Sequence, residues 1–250
     1  VPALYELNLG ATAIGTGITA SPDYAPAVLK HLRRITGIDG LRNAADLIEA
    51  TSDTGVFMTV SATLRRTAMK LSKICNDLRL LSSGPQVGFG EINLPAKQAG
   101  SSIMPGKVNP VIPEAVNQVA FIVAGSDVTI AMASEAGQLQ LNAFEPVMAH
   151  VLMQNSAWLR RSVRTLRINC IDDITANTDR LQAQVDTSVG VVTALTPVIG
   201  YERAATLAKR ALADGDSIRE LVLDQELMSP EDLDAALDRM KPTALLVNTA

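Results

Sequence analysis

Aromatic residues are scarce in this chain: one Trp, three Tyr and four Phe make up 3% of 250 residues. That argues against stacking platforms for single-stranded nucleic acid and against an aromatic-cored β-sandwich. Histidine and cysteine are equally thin, with two of each. His31 and His150 are too few for a His-rich metal site. Cys75 and Cys170 have no CxxC partner, which removes a zinc site and a disulfide framework. Positive charge is not in excess either, since 22 Lys and Arg face 26 Asp and Glu, for a net −4. A dedicated nucleic-acid binder, which needs a basic footprint, is therefore not expected. No run reaches about 18 uncharged apolar residues, so no membrane span is expected. The opening Val1-Pro2-Ala3-Leu4-Tyr5-Glu6 has no basic stretch and no initiator Met. Neither a signal peptide nor a natural start is expected there, and the chain is expected to begin in mid-domain. With 47% hydrophobic residues the length suffices for a real core, in a soluble, cytoplasmic protein.

Helical periodicity dominates what is present. Residues 9–17 are a nearly uncharged Gly/Thr string suited to close backbone approach, read here as a tight helix–helix contact. Apolar spacing then predicts a short helix over 24–35, stopped at Gly37. From Ala45 to Leu81 no proline occurs, and Val56, Val60, Leu64, Ala68, Leu71, Cys75, Leu78 and Leu81 fall in a three-to-four stagger. One helix of roughly 30 residues, about 45 Å long, is expected. Two more long apolar helices are expected over 113–139 and from Phe144-Glu145-Pro146 to Cys170. Beyond Ile174 the text turns charged, with shorter helices at 178–188, 201–213, 217–225 and 230–238. Ser217 and Ser229 are natural N-caps there. The fold class is all-α: a long-helix bundle over 1–174 and a small helical C-terminal domain over 175–250, with no internal repeat.

The unusual text lies between the helices. Gln98-Ala99-Gly100-Ser101-Ser102-Ile103-Met104-Pro105-Gly106-Lys107-Val108-Asn109-Pro110 packs glycines, prolines, serines, a lysine and an asparagine in front of a helix. Converging backbone N–H groups, hydroxyls, an amide and one cation would suit a carboxylate or phosphate. The spacing is not that of a P-loop, because Lys107 is not followed by Ser or Thr. On the residues alone, an anion site and a glycine-rich structural turn stay equally open.

The string Gly100 to Asn109 resembles the GSSxMPxKxN signature of the aspartase/fumarase superfamily. The resemblance runs from Leu4-Tyr5-Glu6-Leu7 to Ala194-Leu195-Thr196-Pro197; residues 239–250 are not recognised. Within the superfamily the chain resembles aspartases more than fumarases. The residues that carry this are Glu49-Ala50-Thr51-Ser52-Asp53, Glu91-Ile92-Asn93-Leu94-Pro95, Ala136-Gly137-Gln138-Leu139-Gln140-Leu141-Asn142, Phe144-Glu145-Pro146 and Asp173-Ile174-Thr175-Ala176-Asn177.

What the resemblance implies is half of the superfamily's central helical domain and a reversible β-elimination, L-aspartate to fumarate and ammonia, without an organic cofactor. Removing a proton beside a carboxylate leaves an aci-carboxylate with two negative charges on one CO₂ group. Preorganised donors and a placed base must lower that barrier. By resemblance Ser101 is the base, on a mobile loop spanning about 96–110 with Gly100 and Gly106 as hinges. Ser102 and the backbone at Ile103 bind substrate, and Lys107 and Asn109 grip a carboxylate. Glu114 matches the family glutamate that pairs with an active-site histidine. Magnesium activation is a family trait for which no ligand cluster is visible. Neither His31 nor His150 aligns with a catalytic position. His31 reads as solvated, His150 as packing or interface, Cys75 as core, and Arg160, Arg161, Arg164 and Arg167 as a solvated face or subunit contact.

Superfamily members are nearly twice this length. A Thr-Ser-Ser-type substrate loop and a Gly-Arg-Thr-His-type stretch, both upstream in the family, do not occur here, so this chain alone is expected to lack a complete active site. In the family three subunits of a homotetramer meet at each site. The chain is then a fragment completed by an N-terminal piece, a shortened chain, or a natural remnant. Three functions stay open: a lyase within a complete tetramer, a non-catalytic helical oligomerisation scaffold, and a fumarate hydratase.

Overall fold

The computed structural model describes residues 2–84, 87–98 and 106–238. Packing divides the chain between Thr175 and Ala176. In the first unit a short helix, α1 (Tyr24–Thr36), and a single turn, α2 (Glu49–Ser52), precede three long helices: α3 (Gly55–Leu81), α4 (Val111–Glu135) and α5 (Glu145–Asn169). Strands are confined to two-residue pairings, such as Glu6–Leu7 alongside Arg42–Asn43. The chain is all-α in class.

The three long helices run antiparallel in turn. Cross-links between α3 and α4 show the register: Thr54 lies against Ser134, Ser61 against Asp127, and Ser72 against Asn117. The α3 face that is buried is small-sided: Ser61, Ala68, Ser72 and Cys75. Opposite it stand Val116, Asn117, Ala120 and Val123 of α4. Small residues let the two helices approach closely, because side-chain size sets the interaxial distance. Leu159 of α5 closes the middle layer over Ala68, Ala120 and Val123. Met148 closes one end over Ile130 and Ala133, and Leu166 with Cys170 closes the other over Cys75 and Val116. By length and composition α4 would suffice to cross a bilayer. Its window of hydropathy is continuous although Asp127 interrupts the uncharged run, which is why a count of uncharged residues passes over it. Here it is the middle helix of the three.

Three sequence expectations are corrected. The single helix expected over 45–81 is broken at Asp53-Thr54. Asp53 is extended, its carboxylate accepts from the Gly55 N–H (3.2 Å), and the buried Thr54 hydroxyl pairs with Ser134 (2.7 Å). These side-chain bonds replace the helical ladder locally. Residues 9–17 lie in turns, not in a helix–helix contact, but the close backbone approach is there: Gly15 sits at φ +92°, and a Cβ on it would stand 2.3 Å from the Ile48 Cα. Of the two readings of His150, packing within this chain does not hold, because the residue is exposed on α5.

The second unit holds α6 (Thr178–Asp186), α7 (Val192–Ile199), α8 (Tyr201–Asp214), α9 (Ile218–Asp224) and α10 (Pro230–Asp238). Helix α7 goes unread in the sequence because Pro197 lies inside it. Leu195, Leu207, Ile218, Leu221, Val222 and Leu233 form the core. Ser217 Oγ accepts from the Arg219 N–H (3.2 Å), and Ser229 Oγ from the Asp232 N–H (3.1 Å). Arg219 donates to Asp234 (2.6 Å), which holds that carboxyl below the usual carboxylate range.

Candidate active site

The segment Gly106 to Glu114 is built by the start of α4. Gly106 takes φ +83°, in the left-handed region where a side chain is strained. Pro110 is the N-cap of α4; its carbonyl accepts from the Glu114 N–H (3.1 Å), and the Asn109 carbonyl accepts from Val111 (2.8 Å). Pro113 is buried in the first turn, where its missing N–H costs nothing. Glu114 therefore stands in the first turn, half-buried, with Lys107, Asn109 and Pro110 also half-buried just ahead of it.

Two distant pieces of chain brace this corner. Asn109, Pro110 and Pro113 meet Leu94, Pro95, Asn169 and Cys170 around a narrow crevice. Asn93 Nδ2 donates to Thr175 Oγ1 (3.2 Å), and Lys97 pairs with Asp173 at 3.9 Å. The stretches Glu91–Pro95 and Asp173–Thr175, far apart in sequence, thus come together beneath the start of α4. Cys75 and Cys170 lie in the same buried layer. Burial, then the neighbouring Cys170, pushes the Cys75 thiol up to about 11 against a small opposing pull from Arg79, and burial raises Cys170 as well.

Of the residues singled out in the sequence, Gly106, Lys107, Asn109 and Glu114 are brought to one corner of the bundle. Gly100, Ser101, Ser102 and Ile103 lie outside the described residues. Arg160, Arg161 and Arg164 are exposed on α5, while Arg167 pairs with Asp172 (3.2 Å). His31 is exposed on α1. Among the described residues no three His, Cys, Asp or Glu side chains gather as metal ligands.

The structural roles of two residues of this framework escape a reading of the sequence. Asn117 is 2% exposed inside an apolar helix, and Asn142 is 4% exposed in the turn between α4 and α5. The signal for Asn117 is an amide on the face that Pro113, Val116 and Ala120 share. Such a group is buried only if it is hydrogen-bonded.

A family model described as "Lyase" matches residues 2–125, and one described as "Fumarase C C-terminus" matches 191–242. A protein of Corynebacterium glutamicum named aspartate ammonia-lyase is 53% identical over 94% of this chain and 45% of its own length. One of Pseudomonas aeruginosa with the same name is 56% identical over 92% of this chain and 48% of its own. Among solved structures, a fumarate lyase:delta crystallin from Brucella melitensis, bound to cobalt, superposes with a TM-score of 0.89. It is 52% identical over 94% of this chain and 51% of that one. A class II fumarase from Schistosoma mansoni gives 0.87 at 32% identity, over 97% of this chain and 54% of that one. The chain spans about half the length of the relatives it matches. With more than half its residues shared along nearly its whole length, and the same helical framework, the chain belongs to the aspartase/fumarase superfamily of lyases.

Proposed function

We propose that this chain is the base-bearing half of an aspartate ammonia-lyase, which eliminates ammonia from L-aspartate to give fumarate. The observation that carries the reading is identity of 53–56% to proteins of that name along more than nine-tenths of the chain. Similarity to the class II fumarase is lower, at 32%, which favours ammonia over water as the group eliminated.

In this reading Ser101, as alkoxide, takes the Cβ proton, and the developing aci-carboxylate is held by Lys107 and Asn109 with Ser102 and the Ile103 backbone. A serine hydroxyl is too weak an acid to ionise unaided, so backbone donors, exclusion of water and the Lys107 ammonium supply the stabilisation. Lys107 and Asn109 stand just ahead of the α4 N-terminus, whose dipole favours the same negative charge. Glu114, in the first turn of α4, pairs with a histidine carried by the upstream half. Gly100 and Gly106 let the loop close. The site is completed by that upstream half and by neighbouring subunits of a cytoplasmic homotetramer. Support for assembly comes from α4, where Phe121, Ile122, Val128 and Met132 are exposed, and from the apolar groove that Val119 and Ile122 form with Trp158.

The test is fumarate formation from L-aspartate at mildly alkaline pH, by the chain alone and with the upstream half supplied in trans. We expect no turnover alone and turnover on addition, lost by a factor of roughly 10²–10⁴ in Ser101→Ala, the range for a general base. Turnover by the chain alone would overturn the incomplete-site reading. An assembly of the correct mass that stays inert would leave an oligomerisation scaffold.

A further inference from the structure

We propose that Asn117 is a positioning residue for this reaction: it locks the axial register of α4 on α3 and so sets where Asn109, Pro110 and Glu114 stand. The inference rests on the reading above for its kinetic consequence, but not for its geometry.

The Asn117 amide is engaged on both sides. Its Nδ2 donates to Ser72 O (3.1 Å), Ser72 Oγ (2.8 Å) and Asn76 Oδ1 (3.1 Å). Its Oδ1 accepts from Arg79 Nη1 (3.4 Å). Three polar residues of α3, spaced about a turn apart, thus converge on one residue of α4. Beside it the buried contact is apolar, with Ala68, Ala120 and Val123 at its centre and Leu64, Leu71 and Val119 packed against them. Apolar burial is non-directional and rewards buried area, not one particular height of one helix on the other. Hydrogen bonds fall off steeply with distance and angle, and a buried amide left unmatched is costly. The polar contact therefore defines the height of one helix on the other.

Position along the helix decides which polar contact matters to the site. Asn117 follows Glu114 by one turn, on the same face, about 4.5 Å along the axis at ~1.5 Å per residue. Among the described residues two other side-chain ties join α3 and its N-cap to α4. Ser61 donates to Asp127 Oδ1 (2.6 Å), while Arg65 pairs with the other oxygen (2.8 Å). Thr54 pairs with Ser134 (2.7 Å). They lie about 20 Å and about 30 Å from Glu114 on the same scale. Of these three ties between the helices, the Asn117 tie stands nearest the first turn, which Leu94, Pro95, Asn169 and Cys170 also brace; the other two stabilise the pair of helices at a distance from it.

The experiment compares Asn117→Leu with Ser61→Ala in the assembly of this chain with its upstream half. Asn117→Ser serves as a milder variant should Leu prevent folding. Steady-state kinetics and amide hydrogen exchange over residues 111–117 are measured on each. We expect the Asn117 variants to lower kcat/KM by roughly 10²-fold, the scale set by an ångström of misplacement, and to speed exchange over 111–117. Ser61→Ala should stay within threefold of the unmodified assembly in kcat/KM, even where its Tm falls as far. Equal kinetics for the two sites, with unchanged exchange at 111–117, would overturn the proposal. If the unmodified assembly does not turn over aspartate, the functional reading fails, and the exchange experiment alone decides the role of Asn117.

Discussion

Replacing Asn142 by Ala removes a side chain that closes two helix ends at once. Its Nδ2 donates to the carbonyls of Ala133 (3.0 Å) and Ser134 (3.2 Å), among the last four of α4, and its Oδ1 accepts from the Phe144 N–H (2.8 Å), the N-cap of α5. These are groups a helix terminus cannot satisfy by itself. Each lost bond is worth about 1 kcal/mol net, and the buried Ala133 carbonyl left without a donor adds about 1 kcal/mol more, for a sum near 3–4 kcal/mol. Water reaches the exposed Phe144 end, so the lower figure is the better guide. A unit of this size loses about 2–4 °C of Tm per kcal/mol, which places the shift at roughly 6–12 °C. The assay is thermal unfolding followed by circular dichroism, with urea titration to confirm an unchanged m-value. Asn142→Asp should fall as far or further, because its carboxylate faces the two carbonyls it can no longer donate to. An Asn142→Ala protein melting within 2 °C of the parent would refute this account of the turn.

Leu233→Ala, at a fully buried position of the second unit, should destabilise that unit by about 2–5 kcal/mol and leave exchange in α3 and α4 unchanged. Ala120→Leu, in the 1%-exposed contact of α4 with α3, should cost about 1–3 kcal/mol by overpacking, read as a fall in urea midpoint. Both thiols should resist alkylation in the native state and react at once in denaturant, as mass spectrometry would show. The Cys75 thiol, raised from the ordinary value of 9.0 to about 11, stays protonated in the fold after the unfolded chain has ionised. Stability should therefore be full below about pH 9 and decline as pH climbs towards 11, a slope that Cys75→Ala flattens.

Much of the framework is legible in the residues. The apolar stagger of α3, α4 and α5 reports their existence and approximate ends, since an amphipathic stripe at helical spacing has few other ways to be buried. Helix starts at Ser217 and Ser229 are legible because a cap is a local interaction. The loop signature names its candidate residues by type and order alone. Less accessible are features set by partners distant in the chain. The break at Asp53-Thr54 depends on Ser134, eighty residues on, and α7 overrides its own proline by packing Leu195 and Ile199 into the second core.

Residue order by itself thus determined the all-α class, the superfamily resemblance and the corner to which Lys107, Asn109 and Glu114 belong. Each rests on local periodicity or on an uninterrupted string. Tertiary structure decided which positions of the α3 stagger are fully buried: Ala68 and Cys75, with Ser72 beside them, while Leu64, Leu71 and Leu78 pack half-buried against that layer. It alone gave Asn117 and Asn142 their work, because an amide's value depends on which donors and acceptors the fold brings within 3 Å of it, and these lie 45 and 9 residues away.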